Sequence, residues 1–275
     1  MQIIEWPQFL ETPLPLGEDS TAITVGVFDG VHRGHKTLIE RVVAYNASAV
    51  PVVVTFRRSN YKKARDAGKE FPGEILSFRQ KMAAFESLGI SVTIVIEFSE
   101  SFRRMSGKDF LRILQEHGKM SFLAVGSDFR CGYQLDTDAL FMQKFNAERG
   151  IPTDIVQVLK EGPVTISSSQ IRTAIAQGEL KAAAAMLGYP FTVDLAGCST
   201  DNGDTGNSSA YDICGQGHIL PPSGKYPVFL LGKKDNESFK IPSEVLIEEG
   251  NIIISGDLTD ACLEYVEFRS TNNTN

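Results

Sequence analysis

Short runs that are apolar on both faces, alternating with helix-like segments, constrain this chain more than any other feature. The strand-like runs are Ile23–Phe28, Pro51–Phe56, Val92–Glu97, Phe122–Val125 and Thr153–Val158. Between them lie the helix-like segments Lys36–Ala44, Ser77–Leu88, Gly107–Gln115 and Asp138–Arg149. A strand with apolar residues on both sides must be covered on both sides, which a parallel sheet between helical layers provides. Gly89 and Gly150 follow two of the helices, where a left-handed C-cap is expected. The alternation predicts a doubly wound α/β domain whose ligand binds beyond the carboxyl ends of the strands.

Two more helix-like segments follow, Ser168–Gln177 and Glu179–Leu187, separated by Gly178 and ended by Gly188. Composition then changes. Gly197–Asp212 is polar, rich in glycine and nearly free of large apolar residues, and reads as a loop or linker. Beyond it the pattern is all-β, with strands expected at Ile213–Leu220, Tyr226–Gly232, Phe239–Ile247, Asn251–Ser255 and Cys262–Arg269. Short strands at close spacing predict a small barrel or sandwich. The expected division is an α/β domain over 1–190, a linker over 191–212 and a small β domain over 213–275.

Composition excludes several classes. The 275 residues are 42% hydrophobic and 22% charged, enough apolar material for one large or two modest cores. A net charge of −7 makes a poor sequence-independent nucleic-acid binder, so no nucleic-acid partner is expected. No targeting segment or membrane-spanning run is visible, so no membrane partner is expected. Cys131, Cys198, Cys214 and Cys262 are scattered without zinc spacing and read as reduced thiols of a cytoplasmic protein. Neither a metal-ligand set nor an oligomeric state can be read.

The first strand runs into Gly26-Val27-Phe28-Asp29-Gly30-Val31-His32-Arg33-Gly34-His35, and a helix follows. A helix N-terminus offers unpaired N–H groups and partial positive charge to an anion. Gly26, Gly30 and Gly34 let backbone approach a ligand, and imidazoles donate hydrogen bonds to phosphate oxygens. One histidine in such a turn would read as a helix cap; two, spaced by Arg33 and Gly34, read as a nucleotide-phosphate cradle. A second cluster, Ile166-Ser167-Ser168-Ser169-Gln170-Ile171-Arg172, also opens a helix. Its hydroxyls can cap that helix or donate to phosphate, with Arg172 reaching the same anion.

The first segment resembles the His-x-Gly-His signature of nucleotidyltransferases, in the longer Gly-x-Phe-Asp-Gly-Val-His-x-Gly-His form of bacterial FAD synthetases. The second resembles their Ile-Ser-Ser-Thr-x-Ile-Arg motif. Val125-Gly126-Ser127-Asp128-Phe129-Arg130-Cys131-Gly132 is similar to Val-Gly-x-Asp-Phe-x-Phe-Gly. Phe98–Leu114 and Ala176–Pro190 are similar to further family segments. The resemblance runs with gaps from about Ile23 to Phe191. It implies a Rossmann-like nucleotidyltransferase fold, and the transfer of an adenylyl group from ATP to FMN with Mg²⁺ assisting. It assigns His32, His35, Ser168 and Arg172 to catalysis. It also assigns Gly26, Phe28, Asp29, Gly30, Gly34, Ser167 and Ser169, with the catalytic four, to ATP. Phe56, Arg57, Arg58, Asp128 and Phe129 are the candidates for FMN.

The chain departs from the family in several places, among them Tyr133–Thr137, where family members often carry a basic residue and a glycine. Arg57-Arg58-Ser59-Asn60 follows Val54-Thr55-Phe56, where the family has x-Pro-His-Pro. The cluster Arg57, Arg58, Lys62, Lys63 and Arg65 is expected to attract the FMN phosphate or, equally, to be a solvated charged loop. Cys131 stands for a family aromatic. In the C-terminal part Leu220–Tyr226 resembles a strand entry of the riboflavin kinase barrel. The kinase motif Gly-Phe-Pro-Thr-Ala-Asn is missing between Phe191 and Arg269, so riboflavin kinase activity is expected to be absent. Two alternatives stay open: a related nucleotidyltransferase using CTP or another phosphorylated acceptor, and a flavin-nucleotide-binding protein without catalysis.

Overall fold

The structure, a computed structural model, describes residues 1–14, 19–57, 73–198, 200–202, 208–213, 217–235, 237–255 and 261–269. The chain divides into two compact units, one of residues 1–59 and 81–160, the other of 60–80 and 161–275. This is not the division at 190 and 212 expected above, because a segment early in the chain belongs with the C-terminal unit.

The first unit starts with β1 (Gln2–Glu5) and α1 (Trp6–Glu11), followed by β2 (Ser20–Val25), α2 (Arg33–Val43) and β3 (Ala49–Arg57). Helix α3 (Phe78–Ser87) leads to β4 (Val92–Glu97), α4 (Glu100–Arg103) and α5 (Gly107–Glu116). Then come β5 (Met120–Gly126), the small pair β6 (Arg130–Cys131) and β7 (Thr137–Asp138), α6 (Ala139–Ala147) and β8 (Thr153–Val156). Six strands form a parallel sheet in the order β1-β4-β3-β2-β5-β8. From β2 the chain builds outward first through β3 and β4, then on the other side through β5 and β8. The order therefore reverses between β2 and β5, and a ligand crevice is expected at their carboxyl ends.

The predicted alternation is thus present. Residues 21–25 of β2 are all buried, as are 52–56 of β3, which is what cover on both faces requires. The N-terminal edge was not expected. There β1 pairs in parallel with β4, and Trp6 starts α1 against Phe102 and Phe110 at centroid distances of 5.7 Å each. These rings belong to a core shared with Phe9, Phe56 and Leu114.

The second unit contains the short strands β9 (Lys160–Glu161) and β10 (Val164–Thr165), then α7 (Ser168–Ala176) and α8 (Leu180–Leu187). The β part comprises β11 (Thr192–Asp194), β12 (Thr200–Asn202), β13 (Ser208–Asp212), β14 (Gly224–Lys234), β15 (Glu237–Glu248), β16 (Asn251–Ser255) and β17 (Cys262–Phe268). They form one antiparallel sheet in the order β11-β17-β14-β15-β16-β13-β12. Tyr226, Val228 and Leu230 of β14 alternate into the core with Val245, Ile247, Ile252, Ile254, Val266 and Phe268. A bulge between Leu231 and Gly232 requires the glycine, since a Cβ there would overlap the Cys262 carbonyl.

Two expectations for this region are corrected. The expected linker contributes three strands, β11, β12 and β13, because main-chain pairing at a sheet edge does not need large apolar side chains. Residues 208–212 pair with all of β16. The strand expected at Ile213–Leu220 is not one: among its described residues the one β-pairing is an isolated bridge between His218 and Glu74. Pro221 and Pro222 lack the N–H that a ladder needs.

Among the described residues no helix is long and apolar enough to cross a membrane. Cys131, Cys198 and Cys262 are free thiols, and Cys214 lies outside the described residues. Burial pushes Cys131 up to about 12 and Cys198 up to about 11.

Candidate functional site

Strand β2 ends at Val25, earlier than the apolar run suggests, so Phe28 lies in the turn rather than in the strand. The turn takes its shape from left-handed residues: Phe28 at φ 53°, Gly30 at 84° and Val31 at 32°. Glycine adopts such a φ freely; phenylalanine and valine do so at a cost and need surroundings that enforce it. For Phe28 those surroundings are visible. Its ring is fully buried and meets the edges of Phe85 at 5.5 Å and His35 at 5.1 Å.

Helix α2 begins at Arg33, and His32 is its N-cap, with Nδ1 accepting the His35 N–H at 3.3 Å. At Gly34 a Cβ would stand 3.3 Å from the His32 ring, a close approach that would require the ring to shift by a few tenths of an ångström. The two imidazoles stack at 3.5 Å between centroids, 18° from parallel. Burial lowers His32 to about 4, against the opposing charges of Asp29 and Asp128. Burial also holds His35 well below its ordinary value, helped by the charges of His32 and Lys81. Both rings are therefore neutral at neutral pH. With Nδ1 of His32 occupied as an acceptor, its proton sits on Nε2, which leaves that nitrogen as a donor. His35 Nδ1 is buried and has no hydrogen-bond partner within the protein.

The two groups that flank this turn follow from topology. Asp128 lies just after β5, the strand across the switch point from β2, and its side chain is exposed. Lys81 of α3 is only 8% exposed, and its ammonium donates to the Phe56 and Val27 carbonyls at 2.9 and 3.3 Å. Sequence reading missed Lys81. Its one signal is placement beside Met82 and four residues before Phe85, on the buried face of the helix.

The FMN candidates fare differently. Phe56 is buried in the core and stacks on the exposed Phe98 at 4.8 Å. Phe129 packs against the same core. Arg57 is ion-paired with Glu5 at 2.8 Å and Glu97 at 3.7 Å. Arg58, Lys62, Lys63 and Arg65 lie outside the described residues.

The serine cluster belongs to the second unit. Ser167 is the N-cap of α7 and accepts the Gln170 N–H at 3.3 Å, while Ser168 and Ser169 occupy the first turn. Arg172, one turn on, donates from Nε to the Gly73 carbonyl at 2.9 Å. Among the described residues no three His, Cys, Asp or Glu side chains gather as a metal site.

The model of the FAD synthetase family matches residues 16–170. A bifunctional riboflavin kinase/FMN adenylyltransferase of Escherichia coli (strain K12) is 29% identical over 220 residues, covering 78% of this chain and 69% of that protein. A protein of the same description from Buchnera aphidicola is 27% identical, over 63% of this chain and 56% of its own length. One from Pseudomonas fluorescens is 28% identical, over 62% and 55%. Among solved structures, one described as a macrolide-efflux protein from Streptococcus pneumoniae superposes with a TM-score of 0.76 over 99% of this chain and 93% of that one. At 18% identity it shows the shared fold alone.

Proposed function

The chain belongs to the FAD synthetase family, and from that premise we propose that it makes FAD and pyrophosphate from FMN and ATP, without riboflavin kinase activity. The observation that carries this reading is the neutral, stacked histidine pair at the first turn of α2, at the switch point of the parallel sheet. An FMN phosphate oxygen attacks the α-phosphorus of ATP, the bond from that phosphorus to the bridging oxygen breaks, and pyrophosphate leaves with both electrons. A phosphate monoester is largely ionised at neutral pH, so the step needs no strong base. It needs in-line placement and donors aimed at the charge that develops on the leaving group.

Neutral imidazoles suit that task. Nε2–H of His32 donates without the full charge that would bind substrate and product equally tightly. The N-terminal amides of α2 and the helix dipole add to the attraction. Magnesium enters with the ATP substrate, since it commonly binds through substrate phosphates and few protein ligands. The family resemblance assigns Ser167, Ser168, Ser169 and Arg172 to ATP as well. Replacing Arg172 with alanine is expected to lower turnover by about 100-fold or more while the fold is kept.

The absence of kinase activity is supported by the missing Gly-Phe-Pro-Thr-Ala-Asn motif. The test is incubation with MgATP and either FMN or riboflavin, followed by separation of the flavins. FAD from FMN and no FMN from riboflavin is the expected result. FMN formed from riboflavin would overturn the kinase statement; no FAD, with pyrophosphate released from another acceptor, would overturn the substrate.

A further inference from the structure

We propose that Lys81 is a positioning residue for this site: its buried ammonium locks the left-handed turn that carries the histidine pair and places fixed positive charge beneath it. The inference rests on the turn's reading as the phosphate-binding element. The grip is visible in detail. Lys81 Nζ donates to the Phe56 carbonyl at 2.9 Å, the Val27 carbonyl at 3.3 Å and the Thr55 hydroxyl at 3.4 Å. The Thr55 hydroxyl in turn donates to the Val27 carbonyl at 3.1 Å. One ammonium thus ties the end of β3 to the residue that precedes left-handed Phe28.

Four residues along the same helix, Phe85 holds the ring of that same Phe28. Residues four apart share a helix face. Backbone and side chain of a strained residue are therefore clamped by one face of α3, which is the over-determination such a conformation requires. A methionine at position 81 could fill similar volume. It could not donate to the two carbonyls, nor carry charge.

The charge has its own role. His35 is faced by His32 on its own helix and by Lys81 from α3, and both disfavour protonating it. Asp29 in the turn and Asp128 after β5 act on His32 in the opposite sense. Lys81 thereby helps keep His35 a neutral donor and attracts a polyphosphate, although its own donors are turned to the protein.

The test compares the full-length parent with Lys81→Met and Lys81→Arg. It measures steady-state FAD formation and the titration of the His35 ring by NMR, with folding checked by circular dichroism. Lys81→Met is expected to lower kcat by about tenfold or more. The His35 titration should move to higher pH, because a nearby positive charge is gone. Lys81→Arg, which keeps the charge, should recover part of kcat and leave that titration low. A folded Lys81→Met with kcat within about twofold of the parent and an unmoved titration would overturn the proposal, as would an arginine variant no better than the methionine one. If Lys81→Met does not fold, Thr55→Val removes one of the ammonium's partners at constant shape. It should lower kcat while leaving the His35 titration low, because the ammonium's charge remains, and an unchanged kcat would overturn the inference. A parent that makes no FAD would refute the adenylyltransfer reading alone, and the His35 titration would still decide the role of Lys81.

Discussion

His32 does two jobs that substitutions can separate. It caps α2 through Nδ1, and in the proposed reaction its Nε2–H is the donor to phosphate. His32→Ala loses both and should cost about 1 kcal/mol of stability with turnover down by about 100-fold or more. His32→Asn keeps a cap acceptor, so it should melt close to the parent yet turn over as poorly as the alanine variant. The same ring makes stability depend on pH. Its pKa falls from 6.5 to about 4 on folding, so above pH 6.5 neither state binds the proton and nothing is lost. As pH drops from 6.5 towards 4 the unfolded chain takes up a proton that the native state refuses, and about 3 kcal/mol is lost by linkage. Thermal melts of the parent and of His32→Asn should therefore diverge as pH falls across that range, the parent losing stability that the variant, which lacks the group, keeps. The histidine pair was legible as a pair because His32 and His35 fall three residues apart where a strand turns into a helix. Lys81 was not, because a helical lysine ordinarily faces water and only its apolar neighbours mark it as inward.

At the scale of elements, a carboxylate anchors residues 77–80, the stretch of the second unit that leads into α3, to the β part of that same unit. Asp194 at the end of β11 is 3% exposed. It accepts from Arg79 through both oxygens, from Ser77 at 2.6 Å and from the Ala196 N–H at 2.9 Å. Burial would raise its pKa, and these hydrogen bonds, with the Arg79 charge, outweigh burial and hold it below the usual carboxylate value. Arg79 also lies over the Tyr265 ring at 4.5 Å, and Gln80 donates to the Thr192 carbonyl at 2.9 Å. Asp194→Ala should destabilise by about 2–3 kcal/mol, measured by urea unfolding, a value reduced because Arg79 is half exposed. Sequence reading located α3, β4, β16 and α5 almost to the residue, since their apolar period is clear. It missed β12 and β13, which are mostly polar and pair through their main chains with the neighbouring strands. No local pattern shows that Asp194 and Arg79 meet, because 115 positions separate them.

At the scale of the molecule, the two compact units are interleaved along the chain: residues 60–80 belong with 161–275, although 81–160 intervene. A fragment ending at residue 190, the boundary suggested by composition, would keep Ser77, Arg79 and Gln80 but lose Asp194 and Thr192. That fragment is expected to melt well below the full chain and to bind a dye for exposed apolar surface. A parent-like melt would show that the N-terminal part stands alone. The interleaving also bears on inheritance. A unit assembled from two separated stretches of gene cannot be exchanged on its own by a single crossover, because codons 81–160 travel with any break that keeps both stretches together. Any recombination point between codons 81 and 160 splits its two stretches between different parents.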